Sequence, residues 1–273
     1  MKNKFTLAAI QLNTQDDKEQ NLKDMERYIA QAASKRADIV ALPEMMNYIG
    51  KDYLEGEEIP GRTTNILCKL AKKYNLWIHG GSISESNGEK LPFNTTVFIN
   101  PNGEIIAKYS KLHMFDVELK DGTKVRESDH FTPGEEIVTA QTDLATFGFA
   151  ICYDMRFPEL FRIMALQGAQ VIIVPANFTM HTGKDHWEPL LRARAIENAC
   201  YVVAPAQIGN KSRFASYGKT MIIDPWGNII AKASDIPCVI TAEIDLSLIA
   251  SIRAQIPSIK SRREDVYKLE RIY

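Results

Sequence analysis

The sequence contains no apolar run approaching the roughly 18–20 residues that a membrane-spanning helix needs. No membrane association is therefore expected. Nor is there a surplus of either charge: 33 basic residues stand against 34 acidic ones, for a formal net charge of -1. A nucleic-acid-binding chain would carry a basic footprint, so nucleic acid is not an expected partner. Cys68, Cys152, Cys200 and Cys238 form no Cys-x-x-Cys pair, which excludes zinc-ribbon and thioredoxin-type motifs. They are also too few for a disulfide framework, and a reducing compartment fits them better. The first residues are basic, but the apolar stretch behind them is broken by Gln11 and Asn13. It reads as a first strand rather than a signal peptide, and a cytoplasmic location is expected. No repeat, linker, low-complexity tract or charge block divides the chain. One domain over residues 1–273 is expected. Gly218-Lys219-Thr220 looks like the end of a phosphate-binding loop, but Arg213 stands where that loop requires glycine. The spacing of His181, His186 and Glu188 does not place them on one helical face, so no metal is expected there. Asn94-Thr95-Thr96 is a glycosylation sequon without other signs of secretion.

The chain does show alternating strand-like and helix-like segments. Phe5–Asn13, Asp38–Leu42, Leu76–Ser84 and Phe93–Ala107 read as strands, the last a pair hinged at Asn100-Pro101-Asn102-Gly103. Between them, 18–35 and 63–74 have helical periodicity, with Leu22, Met25, Ile29 and Ala33 on one stripe of the first. The second half repeats the theme. Strands are expected at 137–142, 147–152, 170–175, 201–207, 220–224, 228–233 and 238–244, and helices at 158–167, 185–199 and 247–256. This alternation argues for an α/β layered fold. Some neighbouring strands lack a crossover helix, so the sheets should be mixed. Two sheets packed together with helices outside, or one doubly wound sheet, would both use these apolar faces.

Cys152 ends one of these apolar runs. A polar turn follows, and Pro158 then starts a helix. A thiol held at a strand-to-helix bend, exposed above a sheet beside a helix N-terminus, has the setting of a nucleophile. Two other strand ends carry reactive groups: Glu44 directly after Leu42-Pro43, and Lys111 within Tyr109-Ser110-Lys111-Leu112-His113. Ligand-facing residues of α/β proteins sit at such carboxyl ends. Glu127, in Arg126-Glu127-Ser128-Asp129, is a further carboxylate. A papain-like Cys–His pairing is the rival chemistry, but none of the five histidines lies in a local signature for it.

Glu44 in Leu-Pro-Glu, Lys111 in Tyr-Ser-Lys-Leu-His and Cys152 in Ile-Cys-Tyr-Asp-Met-Arg-Phe-Pro-Glu resemble, in type and order, the Glu-Lys-Cys triad of the nitrilase superfamily of carbon–nitrogen hydrolases. The likeness extends from the first strand to Ile244 and includes a second glutamate at Glu127. It implies a four-layer α-β-β-α sandwich of two mixed sheets with outer helices. It also implies a homodimer or larger homo-oligomer, with the C-terminal tail from about 257 at the subunit interface. Within such a site Glu44 would act as general base, Lys111 would stabilise the oxyanion with the Tyr153 backbone N–H, and Glu127 would orient Lys111 or the substrate amide. Cys152 would form a thioester, with no metal or organic cofactor.

Cys152-Tyr153-Asp154-Met155-Arg156-Phe157-Pro158-Glu159, with 186–188, 192–197 and 216–218, resembles the branch holding deaminated glutathione amidase and omega-amidase. The second half leans toward the former, whereas 178–183 is nearer the latter. The implied substrate is a small-molecule amide bearing a carboxylate. Arg156, about one turn beyond Cys152, could clamp that carboxylate, and Thr182, in a glycine-containing loop before a helix, could donate to it. A carbamoyl-amide hydrolase or a nitrilase would use the same triad. A binding or scaffold protein on the same fold is the reading of another class.

Overall fold

The computed structural model describes residues 3–52, 56–88, 90–118 and 124–272. Two sheets dominate. The larger has seven strands. Its order runs Cys238–Asp245, Lys4–Gln11, Ile39–Ala41, Trp77–His79, Lys90–Ile99 and Ile83–Asn87, with Ile105–Ser110 also paired to Lys90–Ile99. The six-stranded sheet runs Ile229–Lys232, Met221–Ile223, Tyr201–Ala204, Val171–Ile173, Thr146–Phe149 and Thr139–Gln141. Each has a parallel centre: Lys4–Gln11, Ile39–Ala41 and Trp77–His79 in one, Thr146–Phe149, Val171–Ile173 and Tyr201–Ala204 in the other. Antiparallel partners flank both, so the sheets are mixed.

The alternation of side chains along one strand shows the layering. In Lys4–Gln11, Leu7 and Ala9 belong to the core between the sheets, whereas Ala8 and Ile10 face the opposite way. That outer face is covered by α1 (Lys18–Ser34) and α2 (Arg62–Tyr74), through Leu22, Met25, Ile29, Leu67 and Ala71. On the far side, α3 (Pro158–Leu166) and α4 (Met180–Asn198) cover the second sheet through Phe161, Met164, Trp187 and Leu191. Phe98 meets Phe147 and Phe149 across the middle, with ring centroids 5.1 and 5.2 Å apart. The result is the four-layer α-β-β-α sandwich. α5 (Leu246–Gln255) follows the last strand, and a tail of turns and extended chain exposes Val266, Tyr267 and Ile272.

Two expectations are corrected. The strand over 76–84 is two strands, broken at Gly80-Gly81, where a Cβ on Gly81 would lie 2.1 Å from the Pro43 carbonyl oxygen. α4 starts at Met180 rather than Asp185, and Thr179 is its N-cap. Gly183 therefore lies inside the helix. It is needed there for close approach, because a Cβ would meet the Tyr217 ring at 2.4 Å. Two hairpins also lack a clear periodic signal: Asp116–Glu118 with Lys124–Arg126, and Ile208–Asn210 with Ala215–Tyr217.

Candidate active site

The carboxyl ends of the central strands open into one cavity. Glu44, Lys111, Glu127, Cys152, Tyr153 and Thr182 all line it. Glu44 follows the strand Ile39–Ala41, and the next residue, Met45, takes a left-handed φ of 50°. Lys111 follows Ile105–Ser110, and Glu127 opens a short 3₁₀ turn ending at Asp129. These distant segments converge on one ammonium. Lys111 Nζ donates to Glu127 Oε2 and Oε1 at 2.7 and 2.8 Å and to Glu44 Oε1 at 3.2 Å. The lysine is only 2 % exposed. Burial disfavours its charge, but the carboxylates of Glu127 and Glu44 outweigh that and hold its proton affinity well above the usual lysine range. Glu44 Oε2 in turn accepts the Asn177 backbone N–H at 2.7 Å, and Phe115 N donates to Glu127 Oε2 at 2.7 Å.

Cys152 lies just beyond the strand Thr146–Phe149 and opens a 3₁₀ turn that runs to Arg156. Its φ of 47° is a left-handed conformation that a non-glycine residue enters at a cost of order 1–3 kcal/mol. Two anchors hold it there. Its N–H donates to the Pro175 carbonyl at 2.9 Å, and the buried Asp154 carboxylate fixes the turn. Asp154 accepts from Ile151 N at 2.8 Å, the Tyr109 hydroxyl at 2.6 Å and His113 N at 3.0 Å. Asp154 thus ties the segment bearing Lys111 to the turn bearing Cys152.

The thiol differs from the sequence expectation in its exposure: it is buried in the cavity wall, not exposed above a sheet. The helix α3 begins at Pro158, as expected. Burial, together with the neighbouring Glu44 charge, pushes its pKa well above the usual thiol value, while Lys111 pulls in the opposite direction. The resting group is therefore a protonated thiol beside the Glu44 carboxylate. Thr182 is likewise not in a loop. It sits in the first turn of α4 and shares a 2.9 Å hydrogen bond with the Thr179 hydroxyl. Arg156 is not among the cavity-lining residues. Its guanidinium lies 5.3 Å from the Phe178 ring centroid and 5.7 Å from that of Tyr153, with His186 Nδ1 at 3.4 Å. Spacing along the chain does not point to Asn94, Asp154 or Asn177. Only the short polar side chain just before or after an apolar run marks them.

Comparison with known proteins agrees with this architecture. The carbon-nitrogen hydrolase family model matches residues 6–254. An omega-amidase from Xenopus laevis is 39% identical over 98% of both chains. The human omega-amidase NIT2 is 38% identical over 97% of this chain and 98% of its own. Among solved structures, the C. elegans NitFhit protein superposes with a TM-score of 0.88 at 35% identity, covering 97% of this chain and 66% of that one. Saccharomyces cerevisiae Nit3, described as a member of branch 10 of the nitrilase superfamily, gives 0.84 at 33% identity, covering 95% and 97%. The sandwich, the strand-end placement of Glu44, Lys111 and Cys152, and these matches together establish that the chain belongs to the carbon–nitrogen hydrolase family, within the nitrilase superfamily.

Proposed function

We propose that this enzyme is a cysteine-dependent amidase that hydrolyses the omega-amide of a small keto or dicarboxylic acid. The observation that carries the reading is the Lys111 ammonium held between Glu44 and Glu127 beside Cys152. The cluster supplies a base, a cation and a nucleophile within one buried cavity. The similarity to omega-amidases supports the substrate class.

In the first half-reaction Cys152 Sγ attacks the amide carbonyl carbon as its proton passes to Glu44. Negative charge gathers on the carbonyl oxygen, where Lys111 and the Tyr153 backbone N–H stabilise it. The tetrahedral adduct collapses, the C–N bond breaks, and ammonia leaves with the proton returned by Glu44. A thioester remains on Cys152. Water, deprotonated by Glu44, attacks that thioester and releases the carboxylic acid and the thiol. Because the resting thiol is neutral, transfer to Glu44 and attack are coupled, and no free thiolate has to accumulate. Glu127 keeps Lys111 aimed.

Thr182 lines the wall as a hydroxyl donor at the start of α4, where a carboxylate is also favoured by the helix terminus. Arg156 supports the Tyr153 and Phe178 rings and adds positive potential behind them. Ammonia release from α-ketoglutaramate, succinamate, deaminated glutathione, a carbamoyl amino acid and a nitrile tests the assignment. Turnover of the first two, abolished in Cys152→Ala, is expected. Turnover of only the carbamoyl compound or the nitrile would overturn the substrate class and leave the triad standing.

A further inference from the structure

Asn94 lies within the strand Lys90–Ile99 and pairs with Ser84 of Ile83–Asn87. It is the first residue of the sequon, yet it is 1 % exposed. Burial removes it from glycosylation in the folded protein, and its presence needs another explanation. Its backbone oxygen accepts the Lys111 N–H at 2.9 Å. Its side-chain Nδ2 donates to Glu44 Oε1 at 3.0 Å and reaches Glu127 Oε1 at 3.4 Å. Its Oδ1 is buried without a partner. Turning the amide over would set that oxygen against two carboxylates, so the orientation with one unpaired acceptor is the better of two costs.

We propose that Asn94 is a positioning residue for this reaction: a neutral donor that holds Glu44 and Glu127 in place when Lys111 turns a proton toward the substrate oxygen. The inference rests on the roles given to Glu44 and Lys111 above. In the resting site three carboxylate oxygens lie within 3.2 Å of Lys111 Nζ, two of them on the one Glu127 carboxylate. The bond to Glu44 competes with the substrate oxygen for the ammonium. The longest of these contacts, at 3.2 Å, runs to Glu44 Oε1, which is also the nearer of the two acceptors of the Asn94 amide. When it opens, the Asn94 amide still holds that oxygen, and Glu44 does not swing away from Cys152. A carboxylate at this position would instead add a third negative charge beside one ammonium.

The ionisable groups around Asn94 are Glu44, Glu127, Lys111 and Cys152 in the cavity. Along its own strand, Thr95 bonds Glu85, which pairs with Lys108, and Thr96 bonds His79. His79 is buried, with its pKa lowered to about 3, and stays neutral through the working range.

The test compares wild type, N94A and N94D by circular dichroism, amide hydrolysis and the pH dependence of Cys152 alkylation by iodoacetamide. For N94A we expect kcat to fall roughly 10–100-fold with little change in KM, the range seen when a partner that orients a reacting group is lost. For N94D we expect alkylation to move to higher pH and hydrolysis to recover on acidification, when the introduced carboxyl takes a proton and can donate as the amide did. If N94D does not fold, N94A alone decides through its split between kcat and KM. Alkylation profiles of both variants that superimpose on wild type, with only thermal stability lowered, would overturn the proposal. Alkylation needs no substrate, so it still decides the role of Asn94 if wild type proves to hydrolyse none of the amides and the amidase reading fails.

Discussion

Lys111 and Lys211 are both buried, but at different places and in different company. Lys111 stands on the floor of the cavity between two carboxylates, and they raise its proton affinity well above the ordinary value. Lys211 opens the loop of the hairpin that brings Phe214 to the cavity. It donates to Asn13 Oδ1 and the Thr14 carbonyl at 2.9 Å and to the Ile208 carbonyl at 2.8 Å. Neutral acceptors do not compensate for lost hydration, and burial lowers its pKa to about 7. Burial alone thus disfavours a lysine charge, and only the pair of glutamates reverses the sign. A cation that stays charged through turnover needs the first environment; a structural tie can tolerate the second.

The harshest way to break this contrast is Lys111→Ala. Two buried carboxylates would lose their common cation, at a cost of about 3–5 kcal/mol in stability. Turnover should fall by at least ~10²–10³-fold through the lost oxyanion partner. The pKa of Lys111 in the folded protein is raised, so its contribution is complete below the unfolded value and is lost only as pH rises through the folded one. The stability gap between wild type and variant should therefore not close between about pH 6 and about pH 9 in denaturant titrations. A gap that closes within that window would mean that Lys111 is not held charged by its neighbours.

A milder substitution, Glu44→Gln, removes one carboxylate and leaves Glu127 on the ammonium. Hydrolysis should fall roughly 10²-fold or more with the base gone. The Cys152 thiol should respond in the opposite sense, since the Glu44 charge is one of the influences raising its pKa. Alkylation of Cys152 is expected to shift to lower pH while hydrolysis is lost. Parallel loss of both would indicate a collapsed site in place of a missing base.

The parts of the molecule that were legible in the sequence are those fixed by local pattern. Short apolar runs bounded by polar and turn residues located the central strands, and helical periodicity located α1, α2, α3 and α5 to within a few residues. Glu44 and Cys152 stood out because each interrupts an apolar run at a strand end. What stayed hidden depends on contacts between distant segments. The Asn94 bond to Glu44 spans 50 residues and the Asn177 bond spans 133, and no spacing rule connects them. The start of α4 was obscured because Gly183 looks like a helix breaker until the Tyr217 ring packed against it is seen. Arg156 is close to Cys152 in sequence, yet its guanidinium packs 5.3 and 5.7 Å from the ring centroids of Phe178 and Tyr153, two residues that line the cavity.

The smallest expected effect belongs to Lys211→Met, and its value lies in the slope. A lysine whose folded pKa is lowered to about 7 from 10.5 binds fewer protons folded than unfolded between those values. Wild-type stability should therefore rise with pH across that window from this group, with the full cost of the buried charge borne below it. The methionine variant has no proton to bind, so this component of the slope should vanish. It also leaves Asn13, Thr14 and Ile208 without their common donor, which offsets part of the gain from removing the charge. The stability of the two proteins near neutral pH should then differ little, by about 1 kcal/mol, while their pH dependences diverge. Equal slopes would place Lys211 with Lys111 as a fully charged lysine, and the neutral oxygens around it would have to be solvating an ammonium as well as two carboxylates do.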